Sequence, residues 1–124
     1  MDPLVRKVVR IGIPLGDSYA MGPGKADLLE AIQATGSISG AGRKLGMSYR
    51  RAWLLVDEMN RCFRTPLVEA RMGGAGGGGA RVTELGQEAL HRYREIQDQA
   101  WVAVRRSIHE FQHLLHPAEP ELKP

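Results

Sequence analysis

The chain has 124 residues, 43% of them hydrophobic and 25% charged, with a formal net charge of +3 and a single cysteine, Cys62. This length accommodates one small domain, and one cysteine excludes an internal disulfide and a cysteine-rich zinc site. No apolar run approaches the ~18 residues of a membrane span, and the N-terminus has no secretory signal, so we expect a cytoplasmic protein without a membrane partner.

The first part of the chain is predicted to form a strand, a loop and a helix. Residues 5–13 are rich in β-branched side chains and end at Pro14, which predicts a strand. Glycine and proline punctuate residues 15–23, which predicts a loop. The apolar residues of segment 24–35 recur at helical spacing, and Gly36 is a suitable stop, so this segment is predicted to be a helix.

Two further helices are predicted on either side of a tight turn at Gly46. The first covers residues 38–45 with Ser37 as its N-cap, and the second runs from 49 to about 63 with Ser48 as its N-cap. These proportions are typical of a helix-turn-helix, whose second helix enters the major groove of DNA. One face of that second helix is expected to be buried, and it carries Ala52, Leu55, Val56, Met59 and Phe63.

Basic side chains are concentrated in this part of the chain. The segment from Arg43 to Arg81 carries a net charge of +5, which indicates a polyanion partner or a solvated basic face. Arginine can bind guanine or phosphate in a fork geometry, whereas the alternative for the arginines here is a salt bridge to Asp57 or Glu58, or solvation. The candidate DNA-binding residues around the turn are Lys44, Ser48, Tyr49, Arg50 and Arg51.

The stretch MGGAGGGGAR at residues 72–81 lies between two predicted short strands, 67–71 and 80–83. A phosphate-binding loop would need a lysine after its second glycine, and none is present there. The match to the dinucleotide fingerprint G-x-G-x-x-G is weak, because a glycine run satisfies almost any glycine pattern. An interdomain linker would need a larger segment on each side. We therefore interpret the stretch as the tip of a hairpin, or wing, whose backbone can approach phosphate, with candidate DNA contacts at Arg71, Gly76, Gly77 and Arg81.

A long helix is predicted over about residues 84–116, with Thr83 as its N-cap. Its apolar residues advance by three or four positions, and at about 1.5 Å per residue it is too long for its own chain to cover. Self-association is therefore expected, and a closed two-fold dimer is the commonest form. Residues 1–116 are interpreted as one domain and residues 117–124 as a disordered tail. The expected homodimer contacts are Tyr93, Ile96, Ala100, Val104, Ile108 and Phe111.

The segment from His109 to His113 matches H-E-x-x-H, a zinc metalloprotease motif, on this predicted helix. A catalytic zinc needs a third protein ligand and a walled cleft, and a domain of this size leaves few residues to build them. We therefore expect neither enzyme activity nor a cofactor. Incidental metal binding remains open, with His109, His113 and His116 as the candidate ligands.

Together these segments resemble the N-terminal DNA-binding domain of the ModE family of molybdate-responsive regulators, itself similar to the winged helix of LysR-type regulators. The most recognisable pieces are GSIS, SYRRAW, DEMN and GG-x-GGGG-A. The resemblance implies a mainly α fold with a small β-hairpin (α+β), arranged as a winged helix-turn-helix with a long C-terminal dimerisation helix. It also implies a bacterial or archaeal homodimer that binds double-stranded DNA at a near-palindromic operator, through Ser48, Tyr49, Arg50, Arg51 and the glycine wing.

Members of this family continue into small β-barrel domains that bind molybdate, and the sequence shows no counterpart of them. Molybdate binding is therefore not expected from this chain alone, and the effector is left open. Two alternatives to a DNA-binding homodimer are kept: a small zinc metallopeptidase that uses the H-E-x-x-H match at residues 109–113, and a non-DNA interaction protein that heterodimerises with a longer regulator.

Overall fold

The computed structural model describes residues 3–74 and 77–117. The elements follow in the order α1 (Pro3–Val8), β1 (Ile13–Leu15), β2 (Ser18–Met21), α2 (Pro23–Thr35), α3 (Ile38–Leu45), α4 (Tyr49–Cys62), β3 (Val68–Gly74), β4 (Gly77–Val82) and α5 (Glu84–Gln112). Two antiparallel hairpins, β1–β2 and β3–β4, accompany the helices. This is the mainly helical winged-helix architecture expected from the sequence. Within the described ranges, no helix is both long and apolar enough to cross a membrane.

The strand predicted over residues 5–13 is wrong, because α1 occupies the first half of that segment. Val5 and Val9 are spaced four residues apart, and the Val9 N–H donates to the Val5 carbonyl at 2.7 Å. Both side chains are buried in a cluster with Trp101 of α5. Packing against the long helix therefore outweighs the preference of β-branched residues for strands.

The loop predicted over residues 15–23 is also wrong in part, since β2 lies within it and pairs with β1. Gly16 adopts a φ of +59°, which forms the turn between the two strands. The register shifts between Ile13 and Pro14, and such irregular positions are where a strand tolerates proline.

The predicted boundaries of the next three helices are confirmed to within one residue. Ser37 Oγ accepts a hydrogen bond from the Gly40 N–H at 2.8 Å, and Ser48 Oγ accepts one from the Arg51 N–H at 3.1 Å. Caps of this kind stabilise a helix by about 1 kcal/mol each. The α2 and α3 helices both end on a left-handed glycine, the second of which is Gly46. These caps fix the tight turn before α4.

The main core is built where α2, α4 and α5 meet the base of the β3–β4 hairpin. Its largest fully buried members include Leu28, Leu29 and Ile32 of α2, Met59 of α4, Leu67 directly before β3, and Tyr93 of α5. On the predicted inner face of α4, Ala52 and Val56 are buried, and Leu55 and Phe63 pack at the edge of the core. The inner face of α4 is therefore packed in the core, and its opposite face is exposed to solvent.

The long helix begins at Glu84, with the Thr83 hydroxyl accepting a hydrogen bond from the Gly86 N–H at 3.0 Å, and ends at Gln112. Its 29 residues span about 43 Å. Two of its side chains hold the N-terminal segment: the Tyr93 hydroxyl donates to the Ile11 carbonyl at 2.7 Å, and Gln97 Nε2 donates to the Val9 carbonyl at 2.9 Å. Of the tail predicted at residues 117–124, all but Pro117 lies outside the described residues.

A charged cluster joins α5 to α2. The Arg94 guanidinium, whose side chain is 12% exposed, lies 2.9 Å from the Asp27 carboxylate and 2.8 Å from that of Glu30. Burial opposes the charge on Arg94, but these two carboxylates outweigh burial and raise its pKa. Burial likewise opposes ionisation of Glu30, but Arg94 and Arg6 outweigh it and lower the pKa of that carboxyl.

The low pKa of Glu30 makes part of the stability depend on pH. Because the folded pKa lies below the ordinary value of 4.5, the stabilisation is present above that value and is lost as the pH falls through the folded pKa. We expect Glu30→Gln to be less stable than the wild type at pH 7, by up to about 1 kcal/mol because the pair is partly exposed. Urea unfolding of both proteins between pH 7 and pH 3 should show the difference shrinking in acid. A difference that is constant over this range would contradict the assignment.

Candidate nucleic-acid interface

The first turn of α4 presents a cation-rich surface directly after the capped turn. Ser48, Tyr49, Arg50 and Arg51 are all exposed there. Neither Arg50 nor Arg51 forms a salt bridge to Asp57 or Glu58 in the described part of the chain. Asp57 pairs instead with Arg61 at 2.8 Å. Both guanidinium groups therefore remain available at the positive end of the helix dipole, which favours an anionic partner.

Apolar side chains continue this surface along the outer face of α4. Tyr49, Trp53 and Leu54 are 56%, 44% and 51% exposed, and with Arg50 and Asp57 they line an open concavity of about 510 Å³. The sequence pattern assigned no DNA contact to Trp53 or Leu54. The signal was present, since both residues fall off the three- and four-residue steps that mark the buried face.

Lys44 is exposed near the end of α3. It lines a cavity of about 340 Å³ together with Arg6, Asp27 and Glu30. Its assignment as a DNA contact stays a prediction.

The β3–β4 hairpin is the predicted wing, and its strands extend further into the glycine stretch than the sequence indicated. Gly77 lies in β4 opposite Gly74, whereas Gly76 falls outside the described residues. Arg71 is exposed on β3. Arg81 pairs across the hairpin with Glu69 at 3.3 Å, so its charge is partly neutralised within the chain. Of the two arginines predicted to contact DNA from the wing, only Arg81 forms an ion pair with a described residue.

Asn60, near the end of α4, ties that helix to the β3–β4 hairpin. Its carbonyl oxygen accepts from the Leu67 N–H at 2.8 Å and the Val68 N–H at 3.2 Å, and its amide nitrogen donates to the Val68 carbonyl at 3.0 Å. On the other side of the wing, the Ala80 N–H donates to the Gly36 carbonyl at 2.9 Å. These bonds fix the wing relative to α4. The sequence pattern missed the role of Asn60, although an asparagine inside a helix is unfavourable unless its side chain has a partner.

We expect Asn60→Ala to lower the free energy of unfolding by about 1–3 kcal/mol, because backbone groups at the start of β3 lose their partner. Chemical denaturation of the two proteins measures this. The matched control is Gln99→Ala, an exposed polar residue of α5, which should change stability by less than about 0.5 kcal/mol. Equal stability of Asn60→Ala and wild type would show that water replaces the hydrogen bonds from Asn60 to the backbone of Leu67 and Val68.

The predicted dimerisation residues on α5 fall into three groups. Tyr93 is only 2% exposed and packs within its own chain, so it has no surface to offer a partner. Ala100 and Ile108 are half-buried against the cluster of Val5, Val9 and Trp101. Ile96, Val104 and Phe111 are exposed, and Phe111 is 62% exposed.

The H-E-x-x-H residues lie on the last turns of α5 and on the turn that follows it. The His109 and His113 rings are 4.9 Å apart between centroids, and Glu110 faces Arg106 at 3.6 Å. His116 is exposed beyond the end of the helix. Across residues 3–74 and 77–117 there is no group of three or more His, Cys, Asp or Glu side chains placed to hold a metal ion.

Comparison with known proteins links the chain to molybdenum-related regulators. The molybdenum-pterin-binding protein MopB of Rhodobacter capsulatus is 43% identical over 99 residues, which cover 80% of this chain and 36% of MopB. The molybdenum transport protein ModE of Azotobacter vinelandii is 31% identical over 122 residues, covering 90% of this chain and 45% of that protein. The DNA-binding transcriptional dual regulator ModE of Escherichia coli K12 is 40% identical over 82 residues, covering 64% of this chain and 31% of that protein.

No protein-family model matches the sequence. The longest of these matches nevertheless covers 90% of the chain. The chain is therefore a homologue of these ModE and Mop proteins and spans less than half the length of each of them.

Proposed function

We propose that the chain is a transcriptional regulator that binds double-stranded DNA with its winged helix-turn-helix. The observation that carries this proposal is the first turn of α4, where Arg50 and Arg51 are exposed and form no ion pair with any described residue. The relatives named as DNA-binding or transcriptional regulators support it.

The two arginines suit both tasks at a DNA groove. A guanidinium can donate two parallel hydrogen bonds to guanine O6 and N7, or to a phosphate, and the helix N-terminus adds a favourable dipole toward phosphate. The tight Gly46 turn and the Ser48 cap direct this end of α4 away from the core. In this proposal, the glycine backbone of the wing follows a phosphate backbone at close range.

The functional unit in this proposal is a homodimer formed through the outer face of α5. Val104 and Phe111 are exposed at steps of three or four residues with Ile108, so they form one apolar strip on the long helix. A two-fold dimer places two copies of α4 on one side of the duplex. Half-sites about 34 Å apart, one turn of DNA, would then be read together at a near-palindromic operator.

We expect Phe111→Glu to weaken self-association by about 10- to 100-fold, because a side chain of this size contributes about 1.5–3 kcal/mol when buried. Sedimentation equilibrium of both proteins measures the dissociation constant. The control is Gln99→Glu, which adds the same charge on the opposite face of α5 and should leave association unchanged. If the wild type is monomeric, or if both variants weaken association equally, this face of α5 is not the dimer interface.

The direct test of function is selection of bound sequences from a pool of random duplexes, with and without molybdate. Enrichment of a two-fold symmetric motif supports the proposal, and a pool that stays random would refute it. Comparing the selections with and without molybdate shows whether this ion changes DNA binding by this chain alone.

A further inference from the structure

We propose that His109 and His113 form a two-imidazole site for a divalent transition-metal ion such as Zn²⁺ or Cu²⁺. The site is separate from the proposed DNA surface, since it lies at the C-terminal end of α5, about 40 Å along that helix from its start near the wing.

The spacing of the two rings fits a shared metal. With metal–nitrogen bonds of about 2.0–2.1 Å, a metal ion lies roughly 3.2 Å from the centre of each imidazole ring. If the nitrogen–metal–nitrogen angle is about 90–109°, the two ring centres are then about 4.5–5.2 Å apart. The observed separation between the His109 and His113 centroids is 4.9 Å. His113 keeps a right-handed helical backbone with φ −68° and ψ −14°, so the i, i+4 relation of the two side chains is maintained past the end of α5.

The surroundings of the two rings leave them available to a metal. Both side chains are exposed, and no described residue forms an ion pair with either of them. Glu110, which lies between them in sequence, faces Arg106 at 3.6 Å. The carbonyl end of the helix dipole favours a cation at this position. The two histidines also lie on the face of α5 opposite Val104 and Phe111, so a dimer formed through that strip leaves them accessible.

Two imidazoles make a bidentate site, in which water occupies the remaining coordination positions. Imidazole nitrogen prefers Zn²⁺, Cu²⁺ or Ni²⁺ over Mg²⁺ and Ca²⁺, which take oxygen ligands. The chemical class of the ligand is therefore a borderline divalent transition ion.

The test uses the untagged full chain, because a histidine tag would compete for the metal. Calorimetric titration with Zn²⁺ and with Cu²⁺ should show one ion bound per chain, with no binding of Mg²⁺. His109→Ala and His113→Ala should each lower the association constant about tenfold or more, since one ligand of two is lost. In the electron paramagnetic resonance spectrum, Cu²⁺ bound to the wild type should couple to two imidazole nitrogens. In either single variant it should couple to only one.

His91→Ala is the matched control, since His91 is an exposed histidine of the same helix that faces Glu95 at 3.7 Å instead of a second imidazole. It should bind metal as the wild type does. The proposal is overturned if neither His109→Ala nor His113→Ala changes the affinity, or if His91→Ala lowers it equally. Thermal unfolding of each variant shows whether the fold is retained, and the exposed positions predict that it is.

Discussion

The double variant Arg50→Ala, Arg51→Ala is expected to bind a selected operator about 30- to 10⁴-fold more weakly than the wild type. Each arginine should contribute about 1–3 kcal/mol if it reads a base, and the described chain offers neither of them an internal ion pair that would lower this value. Fluorescence anisotropy with a labelled duplex at fixed salt measures both affinities. The control is Arg61→Ala, which removes an arginine from the same helix whose partner is Asp57 at 2.8 Å.

The single variants separate the two tasks of these arginines. A residue that reads a base relaxes specificity at one operator position, whereas a residue on phosphate weakens all sequences evenly and reduces the salt dependence of binding. If the double variant binds the operator as tightly as the wild type, or if Arg61→Ala is equally damaging, the first turn of α4 does not lie in the groove.

Gly86→Ala is expected to have the largest effect on stability of any single small substitution in the first turn of α5. A methyl group at this position would lie 2.4 Å from the Leu67 carbonyl oxygen and 2.6 Å from Val82 Cγ1. The carbonyl cannot move freely, because it accepts a hydrogen bond from the Thr83 N–H at 2.9 Å. Overpacking of this kind costs about 1–3 kcal/mol or more, and denaturant unfolding measures it.

Gly24→Ala is the control for this experiment, since an added methyl group there meets nothing within 4 Å. In α2 the same substitution should be neutral or should stabilise the protein by about 0.5–1 kcal/mol. Equal stabilities of the two variants would mean that α5 can withdraw from the β3–β4 hairpin at no cost, contrary to the close packing seen at Gly86.

The helix-turn-helix could be predicted from the sequence because its signals are local. Ser37 and Ser48 cap helices through their own side chains, and Gly46 supplies a left-handed residue that few others tolerate. The exposed arginines of α4 follow from the same reasoning, since Ala52 and Val56 fix which face is buried.

The remaining features depend on contacts between distant parts of the chain. Val5 of α1 and Val9, directly after that helix, pack against Trp101, which lies far along the sequence. The Asn60 clamp and the Glu69–Arg81 pair likewise arise from tertiary placement, which neither spacing nor composition encodes. Tyr93 shows the same limit: periodicity marks the apolar strip of α5 but not which part of it the chain covers itself.

The most direct test of the central claim is the ratio of two affinities at the same salt concentration, one for the selected operator and one for a scrambled duplex of equal composition. Binding through the exposed turn of α4 should make the operator complex at least about 10³-fold tighter, as for specific regulators. Equal affinity for both duplexes would show that the basic surface of α4 attracts DNA only as a polyanion, and would contradict a role as a sequence-specific regulator.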